Sequence, residues 1–487
     1  MRRLRTSMWL AILVMVLSVP VAFSQQQSNG QATPAVLALP WPPSSAVSNG
    51  NAEDPNANPQ VLAPDKRALA GAQDFSLGVP ALTHNFWQPF FNLMLTLDTN
   101  PLATNHSSGL TTWTSLFGGI DLHRMSNRSD LTLNYLVGGL TANNGNASNS
   151  LSHQLELGEK LSWRRTTISF FNQLSYLPEA AFGSGMPGGP SLPGAQGLSL
   201  QPVLTPNQSI LTSRGQRISN SFLTEVDRFL TPRSSLTFVG SYSLLRFLDN
   251  SFLNFGDAVF QAGYNHQITP KDTIALLYRL TAFRYNNFDQ SIDSHVVQVA
   301  YGRRVTGRLA FQVAAGPEVG FFRTPISPST ATSGGSTTTT SSSTQAYWTL
   351  DSSMTYQRQR TQFGLAYDHS LSGGAGVLAG AINNQVSGSI NSQLTRTLNG
   401  GFVLGYARNQ GLNVAAPTPS NQSYNYWFSG MDFSHPWGRW TSLFLSYRVQ
   451  FQDSNTGFCV GTTCGKSLVR HTVSIGFSWR PRPIPIE

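Results

Sequence analysis

From about Phe86 to Arg480 the chain alternates apolar and polar residues with a period of two, the mark of strands with one apolar and one polar face. Near the end, Val473, Ile475, Phe477 and Trp479 alternate with Thr472, Ser474, Gly476 and Ser478. Leu443, Leu445, Tyr447, Val449 and Phe451 do the same against Ser442, Ser446, Arg448 and Gln450. Phe260, Ala262 and Tyr264 oppose Gln261, Gly263 and Asn265, and Ile274, Leu276, Tyr278 and Leu280 oppose Thr273, Arg279 and Thr281. Most such segments run to roughly ten to fifteen residues, longer than an ordinary globular strand.

The links between them come in two kinds that alternate. Tight ones, such as those at Thr231, Thr269, Val305 and Trp437, alternate with long polar ones. The long ones are Thr141–Ser150, Glu179–Ser213, Thr324–Thr344, Ser372–Ala381, Asn409–Asn421 and Asp453–Lys466. An up-and-down barrel with short turns at one end and long loops at the other produces this rhythm; a sandwich or propeller does not. Counting hairpins predicts an all-β, antiparallel transmembrane β-barrel over residues 84–480 with about 18 strands. The first hairpin, near Phe90–Leu97 and Leu110–His123, has the weakest pattern, so 16 strands is the alternative.

The chain ahead of the barrel reads differently. Arg2, Arg3 and Arg5 precede an apolar run from Met8 to Phe23, and Ala22-Phe23-Ser24 fits a small-x-small cleavage site. Residues 1–24 therefore read as a secretory signal peptide; the run is short for a membrane anchor and contains Pro20. Residues 25–83 are rich in Pro, Ala, Asn and Gln without periodicity, which predicts a disordered periplasmic segment. No later stretch is long and apolar enough for a helical span.

Charge then adds an orientation. Charged residues make up 11% of the chain, against roughly 25% in a soluble domain, too few to clothe a water-facing surface. The formal net charge is +9, and losing Arg2, Arg3 and Arg5 with the leader gives 9 − 3 = +6. Short turns or their flanks carry Arg124, Arg128, Arg164, Arg165, Arg233, Lys271, Arg303, Arg304, Arg308, Arg358, Arg360, Arg396 and Arg439, whereas the long loops hold almost no Lys or Arg, Lys466 being the main exception. With short turns in the periplasm, this ring would meet anionic headgroups of the inner leaflet; the bland alternative is that Arg snorkels at strand ends. The cations follow no helix or stripe, which argues against nucleic acid.

Chemistry-bearing motifs are scarce. The chain has no P-loop, dinucleotide fingerprint, HExxH or nucleophile elbow. Asp368-His369-Ser370 is the nearest approach to a catalytic set, but adjacent strand residues point to opposite faces. Nothing indicates a catalytic residue, a cofactor or a metal. Cys459 and Cys464, in FCVGTTCG, are expected to form a disulfide in an oxidising compartment. The polar phase of the strands predicts a lumen lined by Glu156, Lys160, Arg217, Glu225, Asp227, Arg279, Glu318, Arg448 and Arg480. The Gly/Pro-rich loop over residues 179–213 is a candidate for folding into the pore, and its lack of the acidic residues usual in such loops argues against that role.

Together these features resemble the porin-like outer-membrane β-barrels as a class. The resemblance rests on pattern and implies an outer-membrane location, with long loops outside and short turns in the periplasm. It also implies the lipid bilayer and the barrel-assembly machinery as partners. Such barrels usually end on an aromatic residue, whereas here Trp479 is followed by RPRPIPIE, expected as a periplasmic tail over 481–487. The implied function is passive passage of small polar solutes, without enzymatic activity. The alternatives are a structural or surface-interaction barrel with a blocked lumen, or a polymer-export barrel.

Overall fold

The computed structural model describes residues 69–70, 85–100, 109–143, 149–177, 216–248, 253–286, 290–326, 339–374, 377–412, 422–460 and 463–486. Eighteen long antiparallel strands form one sheet. They are β1 (Phe86–Asp98), β2 (Thr111–Met125), β3 (Ser129–Ala142), β4 (Ser150–Ser162), β5 (Thr166–Leu177) and β6 (Arg217–Thr231). Next come β7 (Ser234–Phe247), β8 (Phe255–Gln267), β9 (Asp272–Tyr285), β10 (Ser291–Arg304), β11 (Leu309–Ile326) and β12 (Thr339–Arg358). The ring is completed by β13 (Thr361–Ser372), β14 (Ala381–Gln393), β15 (Asn399–Gly411), β16 (Ser423–Pro436), β17 (Thr441–Val460) and β18 (Thr463–Trp479). Each pairs with its sequence neighbours, and β1 also pairs with β18, Phe91 opposite Trp479 through Asp98 opposite Thr472. The barrel is closed, and the first hairpin belongs to it: the count is eighteen.

The alternation sorts side chains onto two faces. On β1, Leu93, Leu95 and Leu97 are exposed while Asn92, Met94, Thr96 and Asp98 are buried. On β9, Leu276 and Tyr278 face out while Ala275, Leu277, Arg279 and Thr281 are buried. The outer face is thus an apolar belt, with Leu276 56% exposed, and the solvent it suits is lipid. Closure gives every one of the eighteen strands a partner on both sides, the condition for a sheet to cross a bilayer.

The two ends differ as the link lengths predict. Odd-to-even links are mostly long, and even-to-odd links are turns such as Ser126–Arg128, Trp163–Arg165 and Val305–Arg308. Several turns use a threonine hydroxyl as a local acceptor, which stabilises a tight reversal. Thr269 Oγ1 accepts from the Lys271 and Asp272 amides (3.2 and 3.0 Å). Thr306 Oγ1 does so for Arg308 and Leu309 (3.1 and 3.0 Å), and Thr395 repeats the arrangement for Thr397 and Leu398 (3.3 and 2.9 Å). Arg128, Arg164, Arg165, Arg233, Arg308, Arg360, Arg396 and Arg439 all stand at this end. At the other end, strand ends carry outward Arg246, Arg323 and Arg408, cations that counting loop residues alone overlooks.

Some expectations need correcting or completing. Asp453–Lys466 is not one long loop: β17 runs to Val460 and β18 starts at Thr463, with an irregularity between Asp453 and Phe458. This ladder sets Cys459 opposite Cys464; their side chains, and so the expected disulfide, lie outside the described residues. Thr339–Thr344, read as loop, begins β12. The leader and the loop over 179–213 also lie outside. The C-terminal tail returns to the wall: β19 (Ile484–Pro485) pairs with Phe86 and Trp87 of β1. Gln88 Nε2 donates to the Pro481 carbonyl (2.6 Å), and the Ile486 amide donates to Asn85 (3.1 Å).

Candidate functional site

The inner wall is the surface on which a barrel of this kind can act, and its polar residues fall into sectors. At the closure, Arg470 on β18 meets Asp98 on β1 through Nη2–Oδ2 (2.7 Å), Nε–Oδ2 (3.1 Å) and Nε–Oδ1 (3.2 Å). Both side chains have no exposed surface. Toward the short turns, Arg480 Nη1 donates to Asp121 Oδ2 (3.0 Å) and its guanidinium lies 4.7 Å from the Phe90 ring centroid. Arg448 on β17 stands 3.8 Å from Asp432 on β16. These pairs form between neighbouring strands or across the closure, so they fasten the wall rather than bridge the lumen.

A second sector spans β9 to β14. Asp351 and Asp368 are directly opposed in the β12–β13 ladder. Gln298 Nε2 donates to Asp351 Oδ2 (2.8 Å), and Ser370 Oγ to Asp368 Oδ1 (2.9 Å). Glu318 accepts from Ser294 Oγ (2.5 Å) and from the Leu371 amide (3.4 Å). Arg279 lies within electrostatic reach of Asp368. Carboxylates and amides dominate this sector. Among the described residues, no group of three or more His, Cys, Asp or Glu is arranged to hold a metal.

The remaining predicted lining residues share the inner phase. Glu156 is buried and accepts from Gln173 Nε2 (3.2 Å), while Lys160 is exposed near the β4–β5 turn. Arg217 is buried with its guanidinium 5.3 Å from the Phe247 ring centroid. Glu225 and Asp227 are half-buried on β6, Asp227 accepting from Thr237 Oγ1 (2.5 Å). The structure brings Arg279 and Glu318 into one sector and keeps Glu156, Arg217, Arg448 and Arg480 apart from it. Asp98, Asp121, Asp351, Asp432 and Arg470 were missed, although the period-two phase that selects Arg448 selects them too.

Asp368 and Ser370 lie on the inside, whereas His369 stacks on Trp348 on the outside (centroids 3.7 Å apart) and hydrogen-bonds Asn384. The three residues form no catalytic set. Three other histidines sit on the outer face near the long links and share hydrogen bonds with tyrosines: His153 with Tyr135 (3.1 Å), His295 with Tyr278 (2.7 Å) and His471 with Tyr447 (2.9 Å). In each, the tyrosine reaches the same diagonal neighbour across the ladder. Such aromatic, polar-tipped pairs suit a membrane interface.

One connection folds inward. The ladder between β12 and β13 stops at Leu350 opposite His369, while β13 stays paired with β14 up to Ser372 opposite Ala381. The described part of the β13–β14 link then packs on a cluster of inner-face residues that includes Phe255, Tyr285, Ile292 and Phe322. Tyr285 Oη donates to the Gly373 carbonyl (3.2 Å) and Gln290 Nε2 to that of Ala379 (3.1 Å). Gly374 and Gly380 (φ 76° and 88°) supply the left-handed conformations that turn the chain. Among the described connections between strands, this link therefore turns inward.

No family model matches the chain, and no curated protein matches it. Among solved structures it is similar to OccK2 (OpdF) of Pseudomonas aeruginosa in complex with glucuronate. That likeness has 10% identity and a TM-score of 0.40, and covers 81% of this chain and 98% of that one. It is similar to the outer membrane protein OpdK of the same organism at 8% identity and a TM-score of 0.41, covering 82% and 100%. Acinetobacter baumannii OccAB2 gives 9% and 0.40, covering 82% and 98%. At these scores the likeness is remote, and the functional reading rests on the barrel's own geometry.

Proposed function

We propose that this chain is an outer-membrane channel through which small hydrophilic solutes pass passively. The observation that carries this reading is a closed eighteen-strand ring whose outer face is apolar and whose inner face is polar. Rings of sixteen to eighteen strands are wide enough to leave an aqueous passage. The inward β13–β14 link, seated on Phe255, Tyr285 and Ile292, narrows that passage near the long-link end. On the inner face, carboxylates outnumber cations, with Glu318, Asp351 and Asp368 in one sector and Arg279 within electrostatic reach of Asp368. The expected selectivity is a weak preference for cations and neutral polar solutes. Orientation follows from the basic turns: they face the periplasm, and the long links face outward.

Liposomes loaded with polymer and carrying the purified chain test this directly. They should swell in isotonic solutions of small neutral sugars, at rates that fall as sugar size rises. A salt gradient should give a small reversal potential of cation sign. No swelling with any sugar would sink the channel reading.

A further inference from the structure

Leu69 and Ala70, well ahead of β1, lie inside the barrel. Ala70 is fully buried among Ala275, Leu277 and Ala300, which are inner-face residues of β9 and β10. Its amide donates to Asn265 Oδ1 (2.7 Å) and its carbonyl accepts from Gln261 Nε2 (2.7 Å). Two amide side chains of β8 thus satisfy both backbone groups of one residue. The recess is shaped by absent side chains. A Cβ at Gly263 would collide with the Ala70 methyl, and one at Gly302 would come within 2.9 Å of Leu69 Cδ2. Gly263 and Gly302 are near the short-turn ends of β8 and β10. The start of β1 is on nearly the opposite side of the ring, so Ala70 and Phe86 are held on facing walls.

Glycine weakens a strand interior, and its use there often marks a place where another group comes close to the backbone. Here two such glycines and two correctly spaced amides converge on one dipeptide. We propose that this recess is a binding site for the chain's own Leu69–Ala70, and that the docked dipeptide occupies part of the passage at the short-turn end. The ligand class is an extended, small-residue peptide backbone, read through its N–H and C=O rather than its side chain. Free inner-wall space at this height is then set by whether the dipeptide is seated. This rests on the channel reading for its effect on conductance, but not for the docking itself.

Two measurements on the full mature chain separate these parts. In a Cys459→Ser/Cys464→Ser background, Ala70→Cys with Ala275→Cys should oxidise to an intramolecular crosslink in the folded barrel, seen by peptide mass mapping. In planar bilayers, Gly263→Val should raise single-channel conductance roughly twofold, since conduction follows pore width. Should Gly263→Val fail to fold, Gln261→Leu/Asn265→Leu removes the two amide contacts without adding bulk to the recess, and should act in the same direction. Absence of the crosslink in a heat-modifiable barrel would overturn the docking. A crosslink with unchanged conductance in the folded variants would overturn the effect on passage. If wild type and variants are all silent, the channel reading fails, and the crosslink alone decides the dock.

Discussion

The closure region, β1 to β3 with β16 to β18, and the wall facing it, β8 to β14, arise from the same alternation yet differ inside. Around the closure the inner face is flush. Phe90, Phe117, Phe428 and Phe444 each lie over a directly opposed glycine, at Gly119, Gly138, Gly405 and Gly476 respectively. A ring laid in the notch left by a missing Cβ covers the backbone and does not project. Buried Arg–Asp pairs fix the same region. The facing wall is furnished instead. It holds the carboxylate–amide sector, receives the β13–β14 link and seats Leu69–Ala70. One region keeps the ring closed, and the other furnishes its interior.

That comparison can be broken first at the closure. Arg470→Ala leaves Asp98 buried without its cation, a loss expected at about 3–5 kcal/mol. Urea titration of the detergent-folded protein should show a large fall in midpoint. An equal fall for Arg279→Ala on the facing wall would erase the distinction. Next in size is the outer belt. Leu276→Arg should cost about 2–4 kcal/mol if that position lies at the bilayer midplane. Thr281→Arg, on the inner face of the same strand, should cost much less in the same lipid-refolding assay. Equal costs would contradict the assignment of faces.

The notched rings come third. Gly138→Val would evict the Phe117 ring, and overpacking of this kind costs about 1–3 kcal/mol; Gly240→Val, whose added Cβ meets open space, is the control. A smaller effect on stability, but a clear one on function, is expected from the inward link. Replacing residues 374–379 with a two-residue turn removes the buried Leu378 but no strand, so a heat-modifiable barrel should still form. Its conductance should rise. A lower conductance, or loss of the barrel, would show the link to be part of the wall.

Much of this plan was legible in the alternation, because a barrel strand buries one face and presents the other to lipid. Leu443, Leu445 and Tyr447 face outward with Ser446 and Arg448 inside, as their period predicts. Link lengths gave the count of eighteen, and the weak first hairpin proved real because Leu93, Leu95 and Leu97 keep the phase beside Pro89. Less legible was anything that depends on register. Whether Phe117 meets Gly138, or Asp351 meets Asp368, follows from cross-strand alignment that no local pattern encodes. The inner phenylalanines are opaque in the same way: they break the polar phase, and only their glycine partners explain them. The dock at Gly263 was the least legible, since Leu69 and Ala70 sit in a stretch with no periodicity.

The most direct test of the central claim is electrical. The purified mature chain, folded in detergent and added to a planar bilayer, should give stable single-channel steps with a small cation preference that Asp351→Asn/Asp368→Asn reduces. Persistent silence from protein that still shifts on a gel with heating would contradict the account, leaving a membrane barrel that is not a channel.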